Sequence, residues 1–336
     1  MMPRDGHNVK NAEQEWEMAM KIAILDDYQN IALTSADWGN LAKDAEIVSF
    51  TDHLSDEDQV AERLKDFEIV CAMRERTPFT KSLLSRLPNL KLLVSSGMRN
   101  LGIDSAAAKE QGVVVCGTKS VGRPTADLAW GLILGLARQI PQEDRNVRAG
   151  GWQRTVGLSL EGRTLGVVGL GNLGGRMATI AKAFDMNVIA WSQNLTQERC
   201  DELGVEKVSR EELMKRSDFI TVHLILSDRS RGVIGAEELA LMKPSAYIVN
   251  TARGPIIDED ALVAALETKA IAGAGIDVFS VEPLPADHPF RRLENAIVTP
   301  HLGYVSDTNY RAYFSGYIEA IEAFLAGEPK NFLGGY

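Results

Sequence analysis

Three short stretches carry the side chains best suited to chemistry. Arg253 lies in Asn250-Thr251-Ala252-Arg253-Gly254, just past the apolar run Tyr247–Asn250. Asp277 and Glu282 lie in Ile276-Asp277-Val278-Phe279-Ser280-Val281-Glu282-Pro283, and His301 lies in Thr299-Pro300-His301-Leu302-Gly303. Each stretch follows a strand-like run. An arginine supplies positive charge to an oxygen that becomes anionic. A histidine supplies it a proton, and a carboxylate orients and charges the histidine. Taken singly, each residue fits an ordinary polar turn; taken together, they fit a site.

A fourth stretch, Gly169-Leu170-Gly171-Asn172-Leu173-Gly174, follows the run Thr164–Val168. Met177, Ile180, Ala181 and Phe184 then fall on one helical face. Glycines in this spacing between a strand and a helix suit a dinucleotide. Gly169 permits the tight turn, and Gly171 lets a pyrophosphate approach the backbone. Gly174 lets the helix pack on the strand. The helix N-terminus offers free N–H groups to the phosphates. The next strand ends in Ser192-Gln193-Asn194, where NAD-specific proteins often carry a carboxylate. Ser192 and Gln193 therefore leave NAD or NADP as alternatives.

The elements that must position these residues read as parallel strands. Apolar runs at 22–25, 46–50, 69–72, 91–94 and 113–116 alternate with helical segments, and so do runs at 164–168, 188–191, 219–224, 247–250, 274–277 and 296–299. Runs this apolar are covered on both faces. The expected fold is α/β: two doubly wound parallel-sheet domains, one a Rossmann dinucleotide-binding domain and one flavodoxin-like. The expected division is an extension over 1–20, a discontinuous first domain over 21–121 and 302–336, and a dinucleotide domain over 122–301. The segment Thr125–Arg138 is apolar almost all round and reads as a core helix, a crossing between domains or a contact with a second subunit.

Bulk properties exclude several roles. With 336 residues two domains are the prior. A net charge of -10 disfavours nucleic acid and anionic lipid. The longest strongly apolar stretch is too short to span a bilayer. Three cysteines without a Cys-x-x-Cys fit a reducing cytoplasm. His7, His53, His223 and His288 form no metal-ligand spacing, so no metal is expected.

From Lys21 onward the chain resembles the D-isomer-specific 2-hydroxyacid dehydrogenases, a family that includes phosphoglycerate dehydrogenases and glyoxylate/hydroxypyruvate reductases. The resemblance rests on the glycine turn and the three stretches above, in the family's order. It implies an NAD(P)-dependent oxidoreductase that interconverts a small 2-oxo acid and its D-2-hydroxy acid in a cleft between two domains. Arg253 would bind the substrate's carboxylate and carbonyl oxygen, His301 would be the acid/base, and Glu282 would hold His301. Cofactor contacts would come from Thr125, the glycine turn, Ser192, Gln193, Leu224, Ile225, Thr251, Ala252, Asp277 and Gly303, with Asp277 on the nicotinamide carboxamide. Many relatives have proline at the position of Ile225. Substrate contacts would come from Arg74, with Arg76 next, and from backbone N–H groups at Gly97 and Met98; Arg99 and Asn100 are further candidates. Glu282 argues against a formate dehydrogenase, which pairs its histidine with glutamine. A dinucleotide-sensing corepressor of the same fold is the alternative. The resemblance also implies a homodimer. The chain stops soon after its closing helix, so serine feedback through a C-terminal domain is not expected.

Overall fold

In the computed structural model of the chain, residues 19–333 are described. His7 and nearly all of the expected extension lie outside them; Met20, its last residue, opens the first strand. The chain divides into two compact units. One comprises residues up to Gly122 together with those from Asp307, and the other runs from Arg123 to Ser306.

The first unit holds a five-stranded sheet: β1 (Met20–Ile24), β2 (Ala45–Ser49), β3 (Ile69–Ala72), β4 (Leu92–Ser95) and β5 (Val114–Gly117). All pairs are parallel, in the order β2-β1-β3-β4-β5. Every residue of β3 and β4 is buried, as strands covered on both faces require. Each such Val, Leu or Ile contributes about 1.5–3 kcal/mol by leaving water. The helix Asp307–Leu325 packs within this unit. Its Tyr313, Phe314 and Tyr317 are fully buried, and the Tyr317 hydroxyl donates to the Ala72 carbonyl at 2.9 Å.

The second unit holds a seven-stranded parallel sheet: β6 (Thr164–Val168), β7 (Asn187–Trp191), β8 (Glu206–Lys207), β9 (Phe219–Val222), β10 (Tyr247–Asn250), β11 (Gly273–Ile276) and β12 (Ala296–Val298). The order is β12-β11-β10-β9-β6-β7-β8. Strand order reverses at β6, so the carboxyl ends of β6 and β9 form the crevice where ligands bind in such sheets. The segment expected as a buried helix forms one over Pro124–Ala137, with proline in its first turn. It is a core helix of this unit: Ala126, Ala129, Leu132, Ile133 and Leu136 are buried, and a Cβ on Gly275 of β11 would stand 3.0 Å from Leu132 Cβ. Phe184 departs from expectation. It is 37% exposed and stacks on Trp130 with ring centroids 5.1 Å apart. The boundary after the histidine also differs. Gly303, expected in the first domain, stays in the second unit because it bonds to Asp277 and Thr125.

Candidate active site

The glycine turn joins β6 to the helix Asn172–Ala183. Gly169 has φ +100°, and a Cβ there would stand 2.9 Å from the His223 carbonyl oxygen. A Cβ on Gly174 would strike the Gly169 carbonyl and sit 3.0 Å from a Val167 methyl, so this glycine sets the helix against its strand. A Cβ on Gly171 would meet nothing within 4 Å, and no side chain caps the helix that follows. The first turn of a helix has N–H groups without internal partners, so open space and free donors coincide. These residues fit a bound pyrophosphate.

The strand ladder runs one residue beyond the strands. His223 N donates to Val168 O at 2.8 Å, Asp277 N to Asn250 O at 3.0 Å and Thr299 N to Ile276 O at 2.9 Å. Two buried polar atoms on these strand ends, His223 Nδ1 and Thr251 Oγ1, have no hydrogen-bond partner among the described residues. His223 Nε2 lies 2.8 Å from Thr221 Oγ1, and burial pulls the imidazole pKa from 6.5 down to about 4.

Arg253 is set by Asn250, a residue the sequence did not single out. Asn250 is buried; its Oδ1 accepts from Ala252 N and its Nδ2 donates to Arg253 O, both at 3.0 Å. The Arg253 guanidinium donates to the Ala252 carbonyl at 2.8 Å. Next to it, a Cβ on Gly254 would collide with the Phe279 backbone. The arginine loop therefore lies directly against the loop that carries Glu282.

Asp277 anchors the histidine loop. It is fully buried. Its Oδ1 accepts from Thr299 Oγ1 at 2.6 Å and Leu302 N at 2.7 Å, its Oδ2 accepts from Gly303 N at 2.8 Å, and its carbonyl accepts from His301 N at 2.8 Å. Burial pushes its carboxyl above the usual aspartate value, against the pull of these donors and of His301. Thr125 Oγ1 donates to Gly303 O at 2.8 Å, which ties the Pro124–Ala137 helix to the same loop. His301 itself has φ +54°. Its Nδ1 lies 2.6 Å from Glu282 Oε2, and Glu282 Oε1 accepts from Phe279 N at 2.9 Å. Burial pushes the Glu282 carboxyl up, but the hydrogen bond and charge of His301, the Phe279 amide and the charge of Arg253 outweigh it and hold it below the usual glutamate value. A carboxylate on Nδ1 fixes the ring orientation and leaves Nε2 to exchange a proton.

The remaining candidates are more open. Leu224 packs beside Gly169, whereas Ile225 is 67% exposed. Gln193 Nε2 donates to Arg229 O at 2.8 Å. In the first unit Arg74 has φ +54°; its N–H donates to Ser96 Oγ at 2.8 Å, and its guanidinium lies where a Cβ on Gly97 would go. Its Nε also sits 3.6 Å from Glu75 Oε2. Gly97 has φ +83°, its N–H donates to Thr118 Oγ1 at 3.0 Å, and Met98 beside it is exposed. Asn100 does not face outward as a substrate contact. Its amide is spent on Arg74 O at 2.6 Å and Ser95 Oγ at 2.9 Å. Among the described residues no group of three His, Cys, Asp or Glu side chains is disposed to hold a metal ion, and no helix is long and apolar enough to cross a membrane.

Residues 130–303 match the family described as D-isomer specific 2-hydroxyacid dehydrogenase, NAD binding domain. The chain is 39% identical to a D-3-phosphoglycerate dehydrogenase of Methanocaldococcus jannaschii over 81% of its own length, but it spans only 52% of that relative. It is 41% identical to a glyoxylate reductase of Aeropyrum pernix, over 74% of this chain and 78% of the other. Among solved structures, a phosphoglycerate oxidoreductase from Vibrio cholerae O395 superposes with a TM-score of 0.87 at 36% identity, covering 92% of this chain and 99% of that one.

Proposed function

The chain belongs to the D-isomer-specific 2-hydroxyacid dehydrogenase family, and from that premise we propose that it interconverts a small 2-oxo acid and its D-2-hydroxy acid with NAD(P), using His301 as the acid/base. The observation that carries this reading is the 2.6 Å contact of His301 Nδ1 with Glu282, beside Arg253 and on the same sheet edge as the glycine turn.

When bound, the dinucleotide supplies the hydride. The chain's residues do the rest. Leu173 and Gly174, in the first turn after Gly171, present backbone N–H groups to the pyrophosphate. An ionised Asp277 has about four acceptor sites and uses three internally, so one remains for the nicotinamide carboxamide. Arg253 holds the substrate's carboxylate and the oxygen that becomes an alkoxide, and its fixed charge lowers the energy of that oxyanion. His301 Nε2 gives that oxygen its proton, while Glu282 stabilises the imidazolium and fixes the ring. In the first unit, Arg74 and the Gly97–Met98 loop are the substrate-side candidates.

Exposed apolar side chains at Ile140, Val147, Trp152 and Val156 support a homodimer, and three buried free cysteines support a reducing cytoplasm. Light scattering tests the first: a monomeric wild type refutes it. The function is tested with a panel of 2-oxo acids and both reduced dinucleotides. Turnover of at least one is expected. Tight dinucleotide binding with no turnover of any would refute the enzyme reading in favour of a sensor.

A further inference from the structure

β7 is followed by Ser192-Gln193-Asn194, with no carboxylate. In folds of this kind an acidic side chain at this point binds the adenosine ribose hydroxyls, whereas a nearby arginine accommodates a 2′-phosphate. Chain order puts no arginine beside Ser192, but the fold brings the backbone of one against Gln193. Gln193 Nε2 donates to the Arg229 carbonyl at 2.8 Å, so the loop after β9 is tied to the loop after β7. These are the two loops that flank the glycine turn's strand on either side.

The Arg229 loop is built rather than loose. Ser230 is 5% exposed; its hydroxyl accepts from Ser227 N at 2.8 Å and donates to Ile225 O at 2.7 Å. Arg231 N donates to Ser227 O at 2.9 Å. On this turn Asp228, Arg229 and Arg231 are all exposed, and none has an ion-pair partner among the described residues. The turn therefore carries one more positive charge than negative. Arg199 differs. It donates to Leu170 O at 3.2 Å and pairs with Glu202 at 2.9 Å, so its charge is already committed.

We propose that Arg229 is the cationic partner of the 2′-phosphate of NADP(H), with Ser192 and Asn194 as neutral donors, and that the chain therefore prefers NADP(H) to NAD(H). The proposal rests on the dehydrogenase reading and deepens it. A phosphate gains a charge-assisted bond from arginine that a hydroxyl does not, a difference of about 10–100-fold in affinity. The attraction is at the surface, so salt weakens it.

Calorimetric titration of the full chain with adenosine 2′,5′-bisphosphate and with 5′-AMP tests this without turnover. The bisphosphate is expected to bind at least about tenfold tighter, a margin that shrinks with added salt and is lost in Arg229→Gln, while 5′-AMP binding is unchanged. Michaelis constants for NADPH and NADH should show the same margin. Equal binding of the two nucleotides by the wild type overturns the proposal, as does an Arg229→Gln variant that keeps the margin. An Arg231→Gln variant that alone loses it overturns the assignment to Arg229. Those results leave the dehydrogenase reading standing. Failure of both nucleotides and both dinucleotides to bind would bring that reading down too.

Discussion

His301 and Arg74 stand in the same backbone conformation, φ +54°, each shortly past a parallel strand, one in each unit. For a side chain other than glycine this conformation costs about 1–2 kcal/mol. Both loops must be held in it, and they are held by different chemistry. The histidine loop hangs on a buried carboxylate, Asp277, and the histidine leans on a second, Glu282. The arginine loop hangs on neutral groups: Ser96 Oγ takes its N–H and Asn100 Nδ2 donates to its carbonyl. Charged anchors give strong, short bonds but tie the geometry to pH. Neutral anchors hold a loop at any pH. Under the proposed function, proton chemistry would fall to the second unit and pH-independent anion recognition to the first.

The largest expected effect separates the two outright. Asparagine tolerates positive φ, so His301→Asn keeps the loop but loses the proton donor. Turnover should fall by about 10²–10⁴-fold, with dinucleotide affinity unchanged. Unchanged turnover would break the comparison at its centre.

The next effect is in stability against pH. The folded chain holds His223 neutral, with its pKa lowered from 6.5 to about 4. Between these values the unfolded chain binds the extra proton. Stability is therefore full above pH 6.5 and is lost as pH falls toward 4, by roughly 3 kcal/mol at most. Glu282, whose carboxyl is lowered, adds a loss of the same sign below its ordinary value of 4.5. Urea unfolding at several pH values reads this out. His223→Gln, which cannot titrate, should flatten the upper part of the curve; a wild-type-like slope would exclude His223 as its cause.

Asp277→Asn tests the charged anchor directly. The amide offers one acceptor oxygen where the carboxylate offered two, so a buried N–H is stranded at about 1–3 kcal/mol. Lower unfolding stability and lower kcat are expected together. The smallest effect is at the neutral anchor. Asn100→Ala should cost about 1 kcal/mol and raise KM for the oxo acid, while the pH profile of kcat stays where it was. A shifted profile would contradict the division between the two units.

The strands were legible in the sequence. Every apolar run formed one, with ends displaced by no more than two residues. β8 was not, because Glu206–Lys207 is two exposed charged residues with no apolar signal. Arg253, Asp277, Glu282 and His301 were legible as candidates because each stands at the end of an apolar run or in the loop that follows it, where parallel sheets present side chains. The residues that hold them were not. Asn250 and Thr299 each read as the last residue of a strand, and only the fold brings Thr299 to Asp277, 22 positions away. Arg229 was hidden in the same way: 36 residues separate it from Gln193, and only β9 pairing with β6 brings the two loops together.

Gly254 carries a consequence for redesign. Its missing Cβ is the space that Phe279 occupies, so the arginine and glutamate loops meet as two rigid parts with no shim between them. In a mutational scan that position should be a blank column. A selection for bulkier substrates should leave this joint alone and accumulate its changes around Met98, whose side chain already projects into open solvent.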